Sequence, residues 1–180
     1  CRENDGVPES RIKTTVFEQG LMSGISAQQF GPDSTVTRGQ VVTILWRLAG
    51  SPASSVSQPF SDADPNEYYY NALCWAKEIG VSTGYSGTDF FGPNDPVTRE
   101  QLATLFARYA SVVDGRDTSS DCSAMDSKNG ATEVSAYARE AMGWAVDTGL
   151  ITGVNGTDLE PGGTAWRASM AEMVKRYSSF

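Results

Sequence analysis

The sequence predicts an all-α domain of three tandem helix-loop-helix repeats, set in a pseudo-threefold, three-pronged arrangement around a shared helical core. Three observations predict it. A Gly/Pro loop running into an amphipathic helix occurs three times, at Phe30 to Gln40, Phe91 to Gln101 and Leu159 to Ser169, each time with an arginine six positions after the proline: Arg38, Arg99 and Arg167. A Gly-x-x-x-Gly exit from a preceding helix also occurs three times, at Gly20 to Gly24, Gly80 to Gly84 and Gly149 to Gly153. Finally, a unit of about 60 residues buries too little of its unfolded surface to stand alone, so units repeated at this period stack and complete one core together.

The elements follow in order. Ser10 caps an expected first helix with Ile12 and Val16 on one face, stopped by Gly20, where a left-handed cap costs a glycine little. Thr37 and Gln40 stand at capping-box spacing, and Val41, Ile44, Leu45 and Leu48 then form one apolar stripe. Residues 50 to 59 are polar and Pro-rich and read as a linker. The second unit opens at Phe60-Ser61-Asp62, builds a helix with Ala72, Trp75, Ala76 and Ile79 on its inner face, and repeats the box at Thr98 and Gln101 before the stripe Leu102, Leu105, Phe106 and Tyr109. Residues 114 to 133 form a longer polar linker, expected to be mobile. The third unit carries Ala141, Trp144 and Ala145, then Met170, Met173, Val174 and Tyr177 after Arg167. These limits divide the chain into repeats at 1–52, 58–113 and 121–180.

Composition narrows the chemistry. With 14 basic and 22 acidic residues the net charge is −8, which disfavours nucleic acid as a partner and requires any anionic ligand to be caught by local cations. No apolar run is long enough to span a bilayer, and residues 1 to 20 lack the apolar core of a signal peptide; a chain starting at Cys1 reads as a processed product or a fragment. Three cysteines suit neither a disulfide scaffold nor a zinc site; Cys74 reads as a core residue, and a bridge, if one forms, joins Cys1 to Cys122. Without histidine a Ser-His-Asp or Cys-His site is impossible, and no pair of carboxylates forms a recognisable glycosidase constellation, so no enzyme is expected. Asp62 to Asn66 resembles the start of a calcium loop, but Glu67 and Leu73 occupy the positions that need Gly and Glu, so neither metal nor cofactor is expected.

The triplicated landmarks resemble the S-layer homology family: the Phe-x-Asp start at Phe60-Ser61-Asp62, the helix tryptophans Trp75 and Trp144, the Gly-x-x-x-Gly exits, the Phe-x-Pro loops, and the Thr-Arg-x-Gln variants of a Thr-Arg-Ala-Glu signature. The resemblance covers residues 11 to 180 and implies a three-pronged domain at the bacterial surface, extracellular. Its implied role is to anchor surface proteins noncovalently by binding pyruvylated secondary cell-wall polysaccharide in grooves between repeats. It carries glycan-binding roles onto Arg38, Arg99, Arg167, Trp75, Trp144, Asp62, Gly84 and Gly153, with Asp126 as the third-repeat counterpart of Asp62. The first unit has Thr15 in place of the tryptophan, and the third has Trp166 in place of the capping threonine and Ser169 in place of the Glu. The second unit is the most complete, so Arg99 is the expected leading site.

Each residue also has a structural reading. The guanidinium suits a pyruvyl carboxylate because it offers a planar two-pronged donor, but the arginines equally suit pairing with carboxylates and holding loops. Trp75 and Trp144, among small residues, suit core packing, and Asp62 suits capping of the turn that follows it. The alternative function is a protein-interaction or self-assembly module of a surface protein, with other surface proteins as partners.

Overall fold

A computed structural model describes residues 20, 21, 31 and 33 to 180. The expected first helix with Ser10, Ile12 and Val16, the loop residues Phe30 and Pro32, and a Cys1–Cys122 pair lie outside the described residues. The described chain is all-α. Its helices are α1 (Arg38–Leu48), α2 (Tyr70–Ile79), α3 (Arg99–Val112), the single turn α4 (Ser123–Asp126), α5 (Arg139–Asp147) and α6 (Arg167–Tyr177), with short 3-10 turns at Ala131–Glu133 and Ala136–Ala138.

The helix starts form as their residue types dictate. Thr37 Oγ1 accepts from the Gln40 backbone N–H at 3.3 Å while Gln40 Oε1 accepts from the Thr37 N–H at 3.1 Å. Thr98 and Gln101 repeat this at 3.3 and 3.2 Å. Trp166 has no such side-chain bond. At the helix exits, Ser82 N–H donates to Ala76 O and Ile151 N–H to Ala145 O, the same offset in both repeats, after Gly80 and Gly149 at φ of 83° and 73°.

The apolar stripes face one another. Val41, Ile44, Leu45, Leu102, Leu105, Phe106, Tyr109, Met170, Met173, Val174 and Tyr177 all lie in a single buried cluster, with Leu48 packed against its edge. α1 packs on α2 and on α3, and α3 packs on α5.

Three chain segments just ahead of α1, α3 and α6 close a ring at the centre. Val36 N–H donates to Ala165 O, Val97 N–H to Val36 O, and Ala165 N–H to Val97 O, at 3.0, 3.0 and 2.9 Å. All three side chains are fully buried. A second tier follows: the N–H groups of Arg38, Arg99 and Arg167 donate to Asp95 O, Gly163 O and Ser34 O. Each arginine is thereby placed against another repeat's loop. The three-pronged arrangement of whole repeats involves the upstream half of the first one, outside the described residues.

The linkers are tied down, contrary to the expected mobility of the second. Asp114 accepts from the Tyr177 hydroxyl, Arg116 lies over the Tyr177 and Phe180 rings, and Ser120 Oγ donates to Asp147 at 2.6 Å. The polar side chains that made this segment look unstructured are the ones that fasten it.

Candidate functional site

Arg38 opens α1 and is 5% exposed. It does not serve its own repeat. Its Nε donates to Phe91 O at 2.7 Å, and its guanidinium carbon lies 4.3 Å from the centre of the Tyr85 ring and 4.6 Å from that of Phe91. Tyr85 is fixed in turn by donating its hydroxyl to Asp95 Oδ2 at 2.8 Å. Burial lowers the Arg38 pKa, opposed by Tyr85, Asp95, Tyr137 and Asp62. Burial, then the bond to Asp95, pushes the Tyr85 hydroxyl up. Among the described residues no carboxylate lies within ion-pair distance of Arg38. Its charge is held by aromatic faces and a carbonyl, an arrangement that leaves it suited to an incoming anion.

Asp62 builds the loop Arg38 touches. Its carboxylate accepts from the Phe91 and Gly92 N–H groups at 2.9 and 2.7 Å, so it fastens a loop 29 and 30 positions away and does not cap its own turn. Gly84 sits at φ 79°, and a Cβ there would lie 2.7 Å from Phe90 O and 2.8 Å from the Phe60 ring, so only glycine allows Phe60 to close over the loop. Phe60 and Phe91 pack at 5.3 Å between ring centres, both buried.

The Arg99 groove follows the same plan with different parts. Arg99 Nε donates to Leu159 O at 2.8 Å, so Leu159 corresponds to Phe91. Val154 N–H to Asp158 O matches Tyr85 N–H to Phe90 O, which puts Val154 at the place of Tyr85. The aromatic sandwich is absent here. Asn129 N–H to Thr157 O matches Ser61 N–H to Asp89 O, which puts Gly130 at the place of Asp62. The expected counterpart Asp126 instead pairs with Arg139 at 2.7 Å. Glu160, at φ 45°, replaces Gly92, and Gly163 replaces Asp95. The second repeat's complete landmarks therefore furnish Arg38 rather than Arg99, correcting the expected leading site.

Arg167 is 4% exposed at the start of α6, its pKa lowered by burial, with Tyr68 acting against that. Gly153, at φ 96°, makes the tight turn closed by Val154 N–H to Asp158 O at 2.7 Å. Trp75 and Trp144 are 3% and 4% exposed and belong to the core, which supports the grooves from beneath; Trp75 meets Tyr109 at 6.4 Å between ring centres.

Sequence reasoning missed Tyr85, Tyr137 and Glu100. Glu100, buried at the start of α3, accepts from Ser135 N–H at 2.9 Å, Ser135 Oγ at 2.8 Å and the Tyr137 hydroxyl at 3.2 Å. It fixes the ring of Tyr137, which is 58% exposed. A signal existed: Tyr68 and Tyr137 each stand seven positions before the helix tryptophans Trp75 and Trp144.

Fold and groove together define an all-α repeat module in which arginines at helix starts lock onto the loops of neighbouring repeats. The chain carries the S-layer homology domain, whose family model matches residues 14–42 and 59–103. It is 28% identical over 181 residues to an endoglucanase of Bacillus sp. (strain KSM-635), a match covering 96% of this chain and 19% of that protein. It is 27% identical to an amylopullulanase of Thermoanaerobacterium thermosulfurigenes over 86% of this chain and 8% of that one. A surface-layer 125 kDa protein of Lysinibacillus sphaericus is 29% identical over 65% of this chain and 10% of its own length. The chain thus spans less than a fifth of each relative. The family and its surface-protein relatives indicate a cell-surface or cell-wall location and support cell-wall anchoring as the general role of such repeats. No helix among the described residues is long and apolar enough to cross a membrane.

Proposed function

We propose that this domain anchors a surface protein noncovalently by binding pyruvylated secondary cell-wall polysaccharide, with the Arg38 groove as its principal site and the repeats 1–52, 58–113 and 121–180 as its units. The observation that carries the reading is Arg38 itself: a nearly buried guanidinium, held flat by Tyr85 and Phe91, with no carboxylate partner among the described residues. A pyruvyl ketal carries one carboxylate on a compact ring, and a charge-assisted hydrogen bond of roughly 1.5 to 3 kcal/mol would supply part of the affinity. Arg99 and Arg167 are secondary contacts in the neighbouring grooves. Asp62, Gly84 and Gly153 shape the loops, and Trp75 and Trp144 support them from the core. Catalysis has no place in this reading; the repeats are a binding module, whatever activity the whole protein carries.

The test is co-sedimentation with purified wall polysaccharide before and after acid removal of its pyruvate. Wild-type protein should bind only the pyruvylated polymer, and Arg38→Gln, checked for retained helix content, should lose at least tenfold in affinity. Equal binding to both polymers would refute the site chemistry and would point to a protein-interaction module once partner assays were positive.

A further inference from the structure

A cleft of about 230 Å³ opens between α3 and α5 beside the Arg38 groove. Its floor is small and apolar, from Ala107 and Ala141, and its rim carries Ser111, Thr118, Arg108 and Glu140. One wall is Tyr137, whose hydroxyl is pinned by Glu100 and whose ring is mostly exposed. Tyr137 also acts electrostatically on Arg38, so a single side chain separates groove from cleft.

The same chain contains the closed version of this cleft. α1 and α2 pack as α3 and α5 do, and aligning Arg38 with Arg99 and Trp75 with Trp144 places Trp46 over Ala107, Thr43 over Thr104 and Tyr68 over Tyr137. Thr43 and Thr104 both donate to the carbonyl four residues back, at 2.7 and 2.8 Å, which confirms the register. Trp46 is half-buried, and its Nε1 donates to Pro52 O at 2.8 Å, tying the first linker across the helix pair. In the second pair Ala107 replaces the indole, and the linker side chain at that point is Thr118. An unfilled space of this kind forfeits packing, so a core under selection for stability alone would fill it.

We propose that the α3–α5 cleft is a saccharide subsite that takes an uncharged N-acetylhexosamine unit. Hydroxyls from Ser111, Thr118 and Thr104 match a hydroxyl-rich ring, and Tyr137 offers an aromatic face to its C–H side. Arg108 and Glu140 make no ion pair among the described residues, so both retain capacity for a neutral ligand's amide and hydroxyl groups, while their opposite signs favour neither cation nor anion. Only the identification of this unit as the neighbour of a pyruvylated sugar rests on the wall-polysaccharide reading.

The experiment uses the whole chain, isotope-labelled, and two probes: N,N′-diacetylchitobiose and a single pyruvylated hexosamine. The neutral disaccharide should shift the Thr104, Ala107 and Ala141 amides saturably in wild type. It should not do so in Ala107→Trp, which copies the residue the fold already holds at Trp46. Ala107→Trp should keep wild-type affinity for the pyruvylated unit and lose at least fivefold for a wall fragment carrying an added neutral unit. If Ala107→Trp misfolds, Ala141→Leu narrows the same space from α5. Unmoved cleft amides, or a filled variant binding the longer fragment as wild type does, overturn the proposal. Cleft shifts with the neutral sugar alongside no binding of the pyruvylated one uphold the cleft and sink the Arg38 reading.

Discussion

Arg38 and Phe91 are 53 positions apart and belong to different repeats, yet the Arg38 Nε donates to the Phe91 carbonyl at 2.7 Å with the guanidinium stacked against that residue's ring. The signature arginine therefore joins repeats as well as presenting charge. Removing it should cost stability as well as binding. Arg38→Ala should destabilise by about 2 to 3 kcal/mol, through a lost buried charge-assisted bond and a cation–π contact. Arg99→Ala should cost about half that, because Val154 and Leu159 supply no aromatic faces. Urea titration of the two variants distinguishes them, and equal losses would contradict the asymmetry described above.

Asp62 makes a second junction testable. Two backbone N–H groups converge on its carboxylate, and Asp62→Asn would turn an amide N–H₂ towards one of them, leaving a donor unsatisfied at a cost of about 1 to 3 kcal/mol. Gly130→Asp, at the corresponding place in the third repeat, restores an acceptor near Glu160 N and should be neutral to stabilising. Thermal unfolding of both variants reads the outcome.

The two glycines of the exits predict a contrast. Gly84→Ala meets Phe90 O at 2.7 Å and the Phe60 ring at 2.8 Å in addition to a left-handed backbone, and should cost more than 3 kcal/mol or prevent folding. Gly80→Ala meets nothing within 4 Å and pays only for its φ of 83°, about 1 kcal/mol. Similar losses in the two variants would show that backbone conformation, not the Phe60 contact, fixes Gly84.

Much of this was legible in the sequence because it is local. Thr37, Gln40, Thr98 and Gln101 specify their capping boxes within four residues, and the stripes from Val41 to Tyr177 specify a buried face by period alone. What stayed hidden was relational. Three equally spaced arginines look the same whether each serves its own loop or the next repeat's, and only the central ring of Val36, Val97 and Ala165 decides that. A loop one residue shorter between Gly153 and Leu159 than between Gly84 and Phe91 obscured which residue stands for Asp62. The cleft was invisible because Ala107 and Trp46 both satisfy an apolar pattern while differing in whether they fill space.

The third helix start offers a gain. Trp166 occupies the N-cap of α6 half exposed and without a side-chain bond, where Thr37 and Thr98 cap their helices. Trp166→Thr should stabilise by about 0.5 to 1 kcal/mol through a new bond to the Ser169 N–H. A loss instead would assign the exposed indole a packing role, and calorimetric melting decides between the two.

Alkaline pH should loosen the core through its tyrosines. Tyr109, 2% exposed, has its pKa raised to about 12 by burial and then by Asp114, and Tyr177 is pushed up further by burial and by its bond to Asp114. A tyrosine whose pKa is higher folded than unfolded binds its proton more tightly in the native state. Its contribution is therefore complete below the ordinary value near 10 and is lost as pH rises from there through the folded value. Stability should be flat from pH 7 to 9 as far as these groups are concerned and fall by on the order of 2 kcal/mol or more between pH 10 and 12. Ultraviolet titration should show the exposed phenols ionising first, with Tyr109 and Tyr177 following only as the helical signal collapses. Tyr177→Phe removes the hydroxyl from Asp114 and should make the alkaline fall shallower; a fall as steep as wild type would mean that this pair does not govern it.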